Sequence, residues 1–186
     1  RLREFKIPSN KQALERVRDV FIFQCFTGLR YSDVFNLRRS DIKGDHIEVT
    51  TVKTSDSLII ELNNHSKAIL DKYKDVAFED DKVLPVITNQ KKKDYLKELA
   101  EMAGIDEPIR QTYYKGNERI DEITPKNALL GTHAGRRTFI CNALALGIPP
   151  QVVMKWTGHS DYKAMKPYID IADDIKANAM SKFNQL

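Results

Sequence analysis

The sequence predicts a mainly α-helical domain that carries a small antiparallel β-sheet. Three observations lead there. Apolar residues recur at three- and four-residue spacing through most of the 186 residues, the period of a helix with one buried face. Around residues 46–61 that period gives way to alternation, the mark of a half-buried strand. Glycines stand just past the periodic segments, at Gly28, Gly104, Gly147 and Gly158, where a left-handed residue closes a helix.

Taken in order, "SNKQALERVRDVFIFQCFTGLR" sets Leu14, Val17, Phe21 and Cys25 on one face, with Ser9 or Asn10 as cap and Gly28 as stop. Ser32 is positioned to cap a short helix, "DVFNL", before the basic break "RRSD". "HIEVTTVK" then alternates Ile47, Val49 and Thr51 against polar residues, and "LIIEL" follows the polar turn "TSDS". Two antiparallel strands are expected, with Lys53 beside their turn. "NQKKKDYLKELAEMA" reads as an amphipathic helix with Tyr95, Leu96, Leu99 and Met102 inward and its lysines on the solvated face. "PIRQTYYKGNERIDEI" is a second hairpin or a loop turning at Gly116 and Asn117. Thr132 to Leu146 is a helix with Thr132 as its cap, and "PPQVVMKWTG" is another that begins at prolines. Two more helices complete the chain, the last placing Ile175, Ala179 and Phe183 on one side. Repeats, low-complexity tracts and linkers are absent from the sequence, so residues 1–186 read as a single domain.

Composition bounds the function. A hydrophobic fraction of 41% with 30% charged residues is that of an ordinary globular protein. The net charge of +4 favours an anionic partner without naming it. Cys25 and Cys141 sit in apolar helical surroundings and read as buried hydrophobes, not a disulfide. A reducing, cytoplasmic setting follows, and neither a membrane span nor a secretion signal is present in the sequence. The four histidines lack zinc-ligand spacing, and no Gly-x-x-x-x-Gly-Lys loop occurs. Asp33, Asp41 and Asp45 read as cap and turn acids, not as a two-metal carboxylate cluster.

Several polar residues stand out. In "GTHAGRRTF", His133 and Arg136 fall at i and i+3 in the first turn of a helix, where free N–H groups and the positive dipole end favour an anion. Arg30 in "TGLRYSD" lies just past a helix stop, and Asp33 is placed to orient it. His159 in "WTGHSD" and Tyr168 in "MKPYIDI" follow, with Pro167 expected to push Lys166 towards an extended backbone. Each alone has an ordinary explanation: a solvent lysine at 53, a structural Arg–Asp bridge, a loop histidine, a half-buried tyrosine.

As an ordered set they resemble the catalytic domain of the tyrosine recombinases, the phage-integrase family of site-specific DNA recombinases. The match runs through Arg30, Lys53, the His-x-x-Arg pair His133 and Arg136, His159 in "TGHS" and Tyr168 nine residues later. The resemblance implies the DNA breaking-rejoining fold of that domain. It also implies Tyr168 as nucleophile, Arg30 and Arg136 as phosphate clamps, Lys53 as the acid on the leaving oxygen, and His133 and His159 as proton-transfer and hydrogen-bonding partners. Neighbouring Arg137 leaves open which guanidinium meets the phosphate, although the spacing favours Arg136. The implied partner is double-stranded DNA at attachment or recombination sites, bound by a tetrameric synapse of the full-length protein near the bacterial nucleoid. No metal or other cofactor is expected.

Members of that family carry a helical clamp domain ahead of the catalytic one, which this chain starts too late to include; weak, steeply salt-dependent DNA binding is therefore expected. Integration or excision of a mobile element is the leading role. A type IB topoisomerase-like nicking-closing enzyme and an inactive DNA-binding relative are the alternatives.

Overall fold

The computed structural model describes residues 1–171 and 179–186. It divides into two compact units: Arg1–Asp19 with Val86–Thr132, and Val20–Pro85 with His133–Leu186. Helix α1, Gln12–Thr27, contributes its start to the first unit and its end to the second.

In the first unit the remaining elements are α4, Asn89–Met102, and a two-stranded hairpin, β4 (Pro108–Lys115) with β5 (Glu118–Pro125). The hairpin is therefore formed, with Gly116 at positive φ in its turn. Leu14, Val17, Leu96, Leu99 and Ala100 are buried, as the helical spacing requires. One expectation fails on this helix. Lys92 is 1% exposed, so the lysine run is not uniformly solvated: at i−4 and i−7 from Leu96 and Leu99, Lys92 shares their inward stripe.

The second unit adds α2 (Tyr31–Phe35), a three-stranded antiparallel sheet in the order β1 (Ile42–Lys43), β2 (His46–Thr50), β3 (Ser57–Glu61), and the helices α3 (Asn64–Lys72), α5 (Ala134–Ala145), α6 (Pro150–Thr157) and α7 (Lys166–Ile171). The short strand β1 joins the two expected from alternation, with Ile42 opposite Ile47. Helix α3 opens with a reciprocal cap in which Asn63 Oδ1 accepts from Ser66 N and Ser66 Oγ accepts from Asn63 N. The sheet buries alternate residues, Ile47, Val49, Leu58 and Ile60. Ile140, Ala143, Leu144, Val153 and Met165 form a core cluster against which Tyr168 and Ile169 pack.

Three local expectations are corrected. Helix α2 begins at Tyr31 with Arg30 in the cap position, so Ser32 lies inside the helix and does not cap it. His133, not Thr132, occupies the position before α5, and no side chain caps that helix. Lys166 is helical: Pro167 sits in the first turn of α7, where its missing N–H costs nothing. Neither cysteine is in a disulfide. The terminal helix expected to align Ile175 falls partly outside the described residues, while Met180 and Phe183 are exposed. No helix among the described residues is long and apolar enough to cross a membrane.

Candidate active site

All six residues singled out by the sequence belong to the second unit, and its packing determines how they meet. The end of α1 and the start of α5 approach at two glycines. A side chain at Gly135 would lie 2.7 Å from Gln24 Cβ, and one at Gly28 would lie 2.5 Å from the Phe139 ring. Gly28 also holds a φ of 76°, which lets the chain leave α1 and turn towards Arg30. Bulk at either position would push the two helices apart.

That contact seats Arg136. Its Nη1 donates to Gly28 O at 2.9 Å and its Nη2 donates to Thr157 O at 2.5 Å. The guanidinium thereby ties the end of α1 to the end of α6. It is 7% exposed, whereas Arg137 beside it points to solvent. Of the two neighbouring arginines, Arg136 is the inward one. Burial, and then the nearby charge of Arg30, push its pKa down to about 10, while Asp33 and Tyr168 act in the opposite sense. Arg30, Asp33 and Tyr168 therefore lie within electrostatic reach of one guanidinium.

Arg30 Nη1 is buried and has no hydrogen-bond partner among the described residues. A buried charged donor without an acceptor is costly, and an anionic oxygen is the group that would satisfy it. Asp33 does not do so. Its Oδ1 accepts from Val52 N at 2.9 Å instead, so the expected orienting bridge to Arg30 is replaced by a tether between α2 and the β2–β3 turn. Lys53 follows Val52 directly and is exposed in that turn. Ser55 at positive φ and the Thr51–Thr54 and Thr54–Asp56 hydroxyl contacts shape the same loop.

His159 stands half-buried after α6, with Nδ1 2.7 Å from Thr157 Oγ1. Burial first, then Arg136 and Arg30, lower its pKa below the usual imidazole range. Gly158, at φ 75°, makes the turn between them, and a Cβ there would come to 3.4 Å from Leu58 of β3. Tyr168 is half-buried on α7, packed against the Ile140 cluster, with its N–H donating to Met165 O. His133 precedes α5 on the surface.

The structure thus brings Arg30, Arg136, His159 and Tyr168 into one electrostatic neighbourhood and links the Lys53 turn to it through Asp33. It leaves His133 at the exposed rim. Thr157, which touches both Arg136 and His159, was missed by the sequence reading. A helix-ending threonine directly before "GHS" carries no signal of its own.

Two arginines, a histidine and a tyrosine are thus gathered from separate segments of a mainly helical structure with small antiparallel sheets. The family model for the phage integrase family matches residues 4–174, and the chain belongs to that family.

Solved structures agree on the fold. The crystal structure of XerA recombinase superposes with a TM-score of 0.65 at 16% identity, over 98% of this chain and 65% of that one. The Tn1549 transposon integrase in complex with circular intermediate DNA gives 0.60 at 17% identity, over 94% of this chain and 64% of that one. A lambda integrase dimer bound to a COC′ core site gives 0.61 at 17% identity, over 85% of this chain and 44% of that one. The chain spans just under two thirds of the first two proteins and less than half of the third. No curated protein sequence matches it.

Proposed function

We propose that residues 1–186 act as one catalytic domain of a site-specific DNA recombinase that cuts and rejoins strands through a 3′-phosphotyrosyl link, for integration or excision of a mobile element. The observation that carries this reading is the arginine pair: Arg136 anchored by two carbonyls, beside Arg30 with a buried, unpartnered Nη1.

In this mechanism the two guanidiniums hold the non-bridging oxygens of one phosphodiester and offset the charge that builds in the transition state. The Tyr168 oxygen attacks phosphorus while its phenolic proton passes to a histidine, the sequence favouring His133 for that role. The bond from phosphorus to the deoxyribose 5′-oxygen breaks, and Lys53 gives that oxygen a proton. A free 5′-hydroxyl and a phosphotyrosyl ester result. Another strand's 5′-hydroxyl reverses the attack, so the bond energy is conserved and no nucleotide is consumed. The turn bearing Lys53 suits an acid that must reach into a groove.

The Tn1549 integrase structure is a complex with circular intermediate DNA and the lambda integrase dimer is bound to a COC′ core site, which supports double-stranded DNA as partner; a place at the bacterial nucleoid is part of the same proposal. Self-association of the full-length protein into a tetrameric synapse on DNA belongs to the same proposal.

The test is a DNA duplex nicked close to the cleavage point, on which the severed fragment diffuses away. The native chain is expected to trap a denaturant-stable covalent adduct and Tyr168→Phe none. An adduct surviving in the variant would place the nucleophile elsewhere. Relaxation of supercoiled plasmid lacking any candidate site would instead indicate a nicking-closing enzyme.

A further inference from the structure

We propose that Thr54 is a positioning residue: its hydroxyl closes a ring of hydrogen bonds that holds the β2–β3 turn in the shape from which Lys53 reaches the leaving oxygen. The role of Lys53 rests on the strand-transfer reading; the ring itself does not.

An exposed turn of small polar residues is ordinarily the loosest part of a hairpin. Residues 52–57 are exposed, yet the turn they form is rooted on Thr51, which is 2% exposed. Thr54 donates its hydroxyl hydrogen to Asp56 Oδ2, because an ionised carboxylate only accepts. A hydroxyl has one hydrogen, so Thr54 Oγ1 meets Thr51 Oγ1, 2.8 Å away, as the acceptor, and Thr51 is the donor. Thr51 Oγ1 in turn accepts from Asp56 N at 3.1 Å. The ring closes on the residue where it began. Every donor in it is assigned, and bonds that run head to tail reinforce one another.

Two main-chain bonds span the same residues, from Thr51 N to Asp56 O at 2.8 Å and from Ser55 N to Thr51 O at 2.9 Å. Ser55, at φ 56°, takes a left-handed backbone that a serine adopts only when its surroundings demand it. The bond from Thr54 to Asp56 reaches across that residue and makes the demand. Lys53 therefore stands between two anchored neighbours. On one side Val52 N donates to Asp33 Oδ1, and on the other Thr54 is held by the ring. Asp56 also borders the segment that carries His159, since a Cβ added at Gly158 would lie 3.8 Å from Asp56 Oδ2. The long lysine side chain keeps its reach while its base stays fixed beside the site.

The test separates holding the acid from holding the fold. Thr54→Val keeps the branched shape and removes the hydroxyl that joins Thr51 to Asp56; Thr54→Ser keeps the hydroxyl. At saturating nicked duplex, Thr54→Val should slow adduct formation by about tenfold, with DNA affinity and melting temperature unchanged, and Thr54→Ser should restore the native rate. In a second duplex sulfur replaces the leaving 5′-oxygen. There the phosphorus–sulfur bond breaks to a thiolate, which is stable without a proton from Lys53, so Thr54→Val and Lys53→Ala should both react as fast as the native chain. Amide exchange at Asp56 should quicken in Thr54→Val and stay native in Thr54→Ser.

Native exchange at Asp56 in Thr54→Val would overturn the ring. Rescue of Lys53→Ala alone by sulfur would overturn the positioning role of Thr54, and rescue of neither would remove the acid role of Lys53 from the strand-transfer reading and this proposal with it. A native chain whose slow Asp56 exchange is lost in Thr54→Val, yet which never traps DNA, would support the ring and count against the recombinase reading instead.

Discussion

The hairpin β2–β3, which leads into the Lys53 turn, buries every second residue, whereas β4–β5 exposes nearly the whole of both its strands. Both pair in antiparallel register. In the first, Ile47, Val49, Leu58 and Ile60 are buried and Asp33 holds the far end by its hydrogen bond to Val52 N. In the second, Tyr114 and Ile123 stay 69% and 74% exposed, and the strands are stitched across by Arg110, Thr112 and Asp121. A hairpin on a core can hold a reactive lysine at a set distance. One held mainly by surface pairs has little to transmit.

Four outcomes would sharpen or break that contrast. Lys53→Ala should slow covalent-adduct formation by about 10²–10⁴-fold, the span of a lost general acid, with no change in melting temperature. Lys115→Ala, beside the other turn, should leave the rate alone; equal losses in both variants would erase the distinction. In urea unfolding, Ile60→Ala should cost about 2–4 kcal/mol because it hollows a packed site, while Ile123→Ala should stay within about 0.5 kcal/mol.

Asp33→Ala should cost about 1–2 kcal/mol through its lost hydrogen bond and should speed amide exchange at Val52. An unchanged Val52 exchange rate would mean the tether does not hold the turn. The smallest effects concern pH. His46 on β2 has its pKa raised by hydrogen bonds to Asp45 and then Glu48. Its contribution is complete below the unfolded value near 6.5 and fades as pH rises through the raised folded value. Asp121 on β5 is lowered by its bond from Thr112 and then Arg110. Its contribution is complete above the unfolded value near 3.8 and is lost as pH falls through the lowered folded value. Melting curves of His46→Asn and Asp121→Asn against the native chain should therefore converge at opposite ends of the pH scale. Asp121 is exposed and His46 only half-buried, so the differences should be small.

Much of the architecture was legible because it is written in local periodicity. The α1 stop at Gly28, the α6 stop at Gly158 and the pairing around the Lys53 turn all follow from spacing and turn chemistry. The errors lie where a local rule met a tertiary demand. Ser32 and Thr132 have the chemistry of caps, yet Arg30 and His133 occupy those positions. Lys92 looked like one more solvated lysine in a run of three, but its phase on α4 turns it inward. Asp33 was expected beside Arg30 because the two are neighbours in sequence; a partner 19 residues on took its carboxylate instead.

Read by itself, the chain named the residues expected to carry the chemistry: an ordered set of arginines, histidines, a lysine and a tyrosine at family-specific spacing, on elements whose periods name them. Tertiary structure alone decided which arginine turns inward, what holds it, and that Thr157 stands between Arg136 and His159. Those outcomes depend on the close approach of α1 and α5 at Gly28 and Gly135, and on which buried donors find acceptors once water is excluded. Such contacts join segments more than a hundred residues apart, and no local pattern in a chain encodes a distance across that separation.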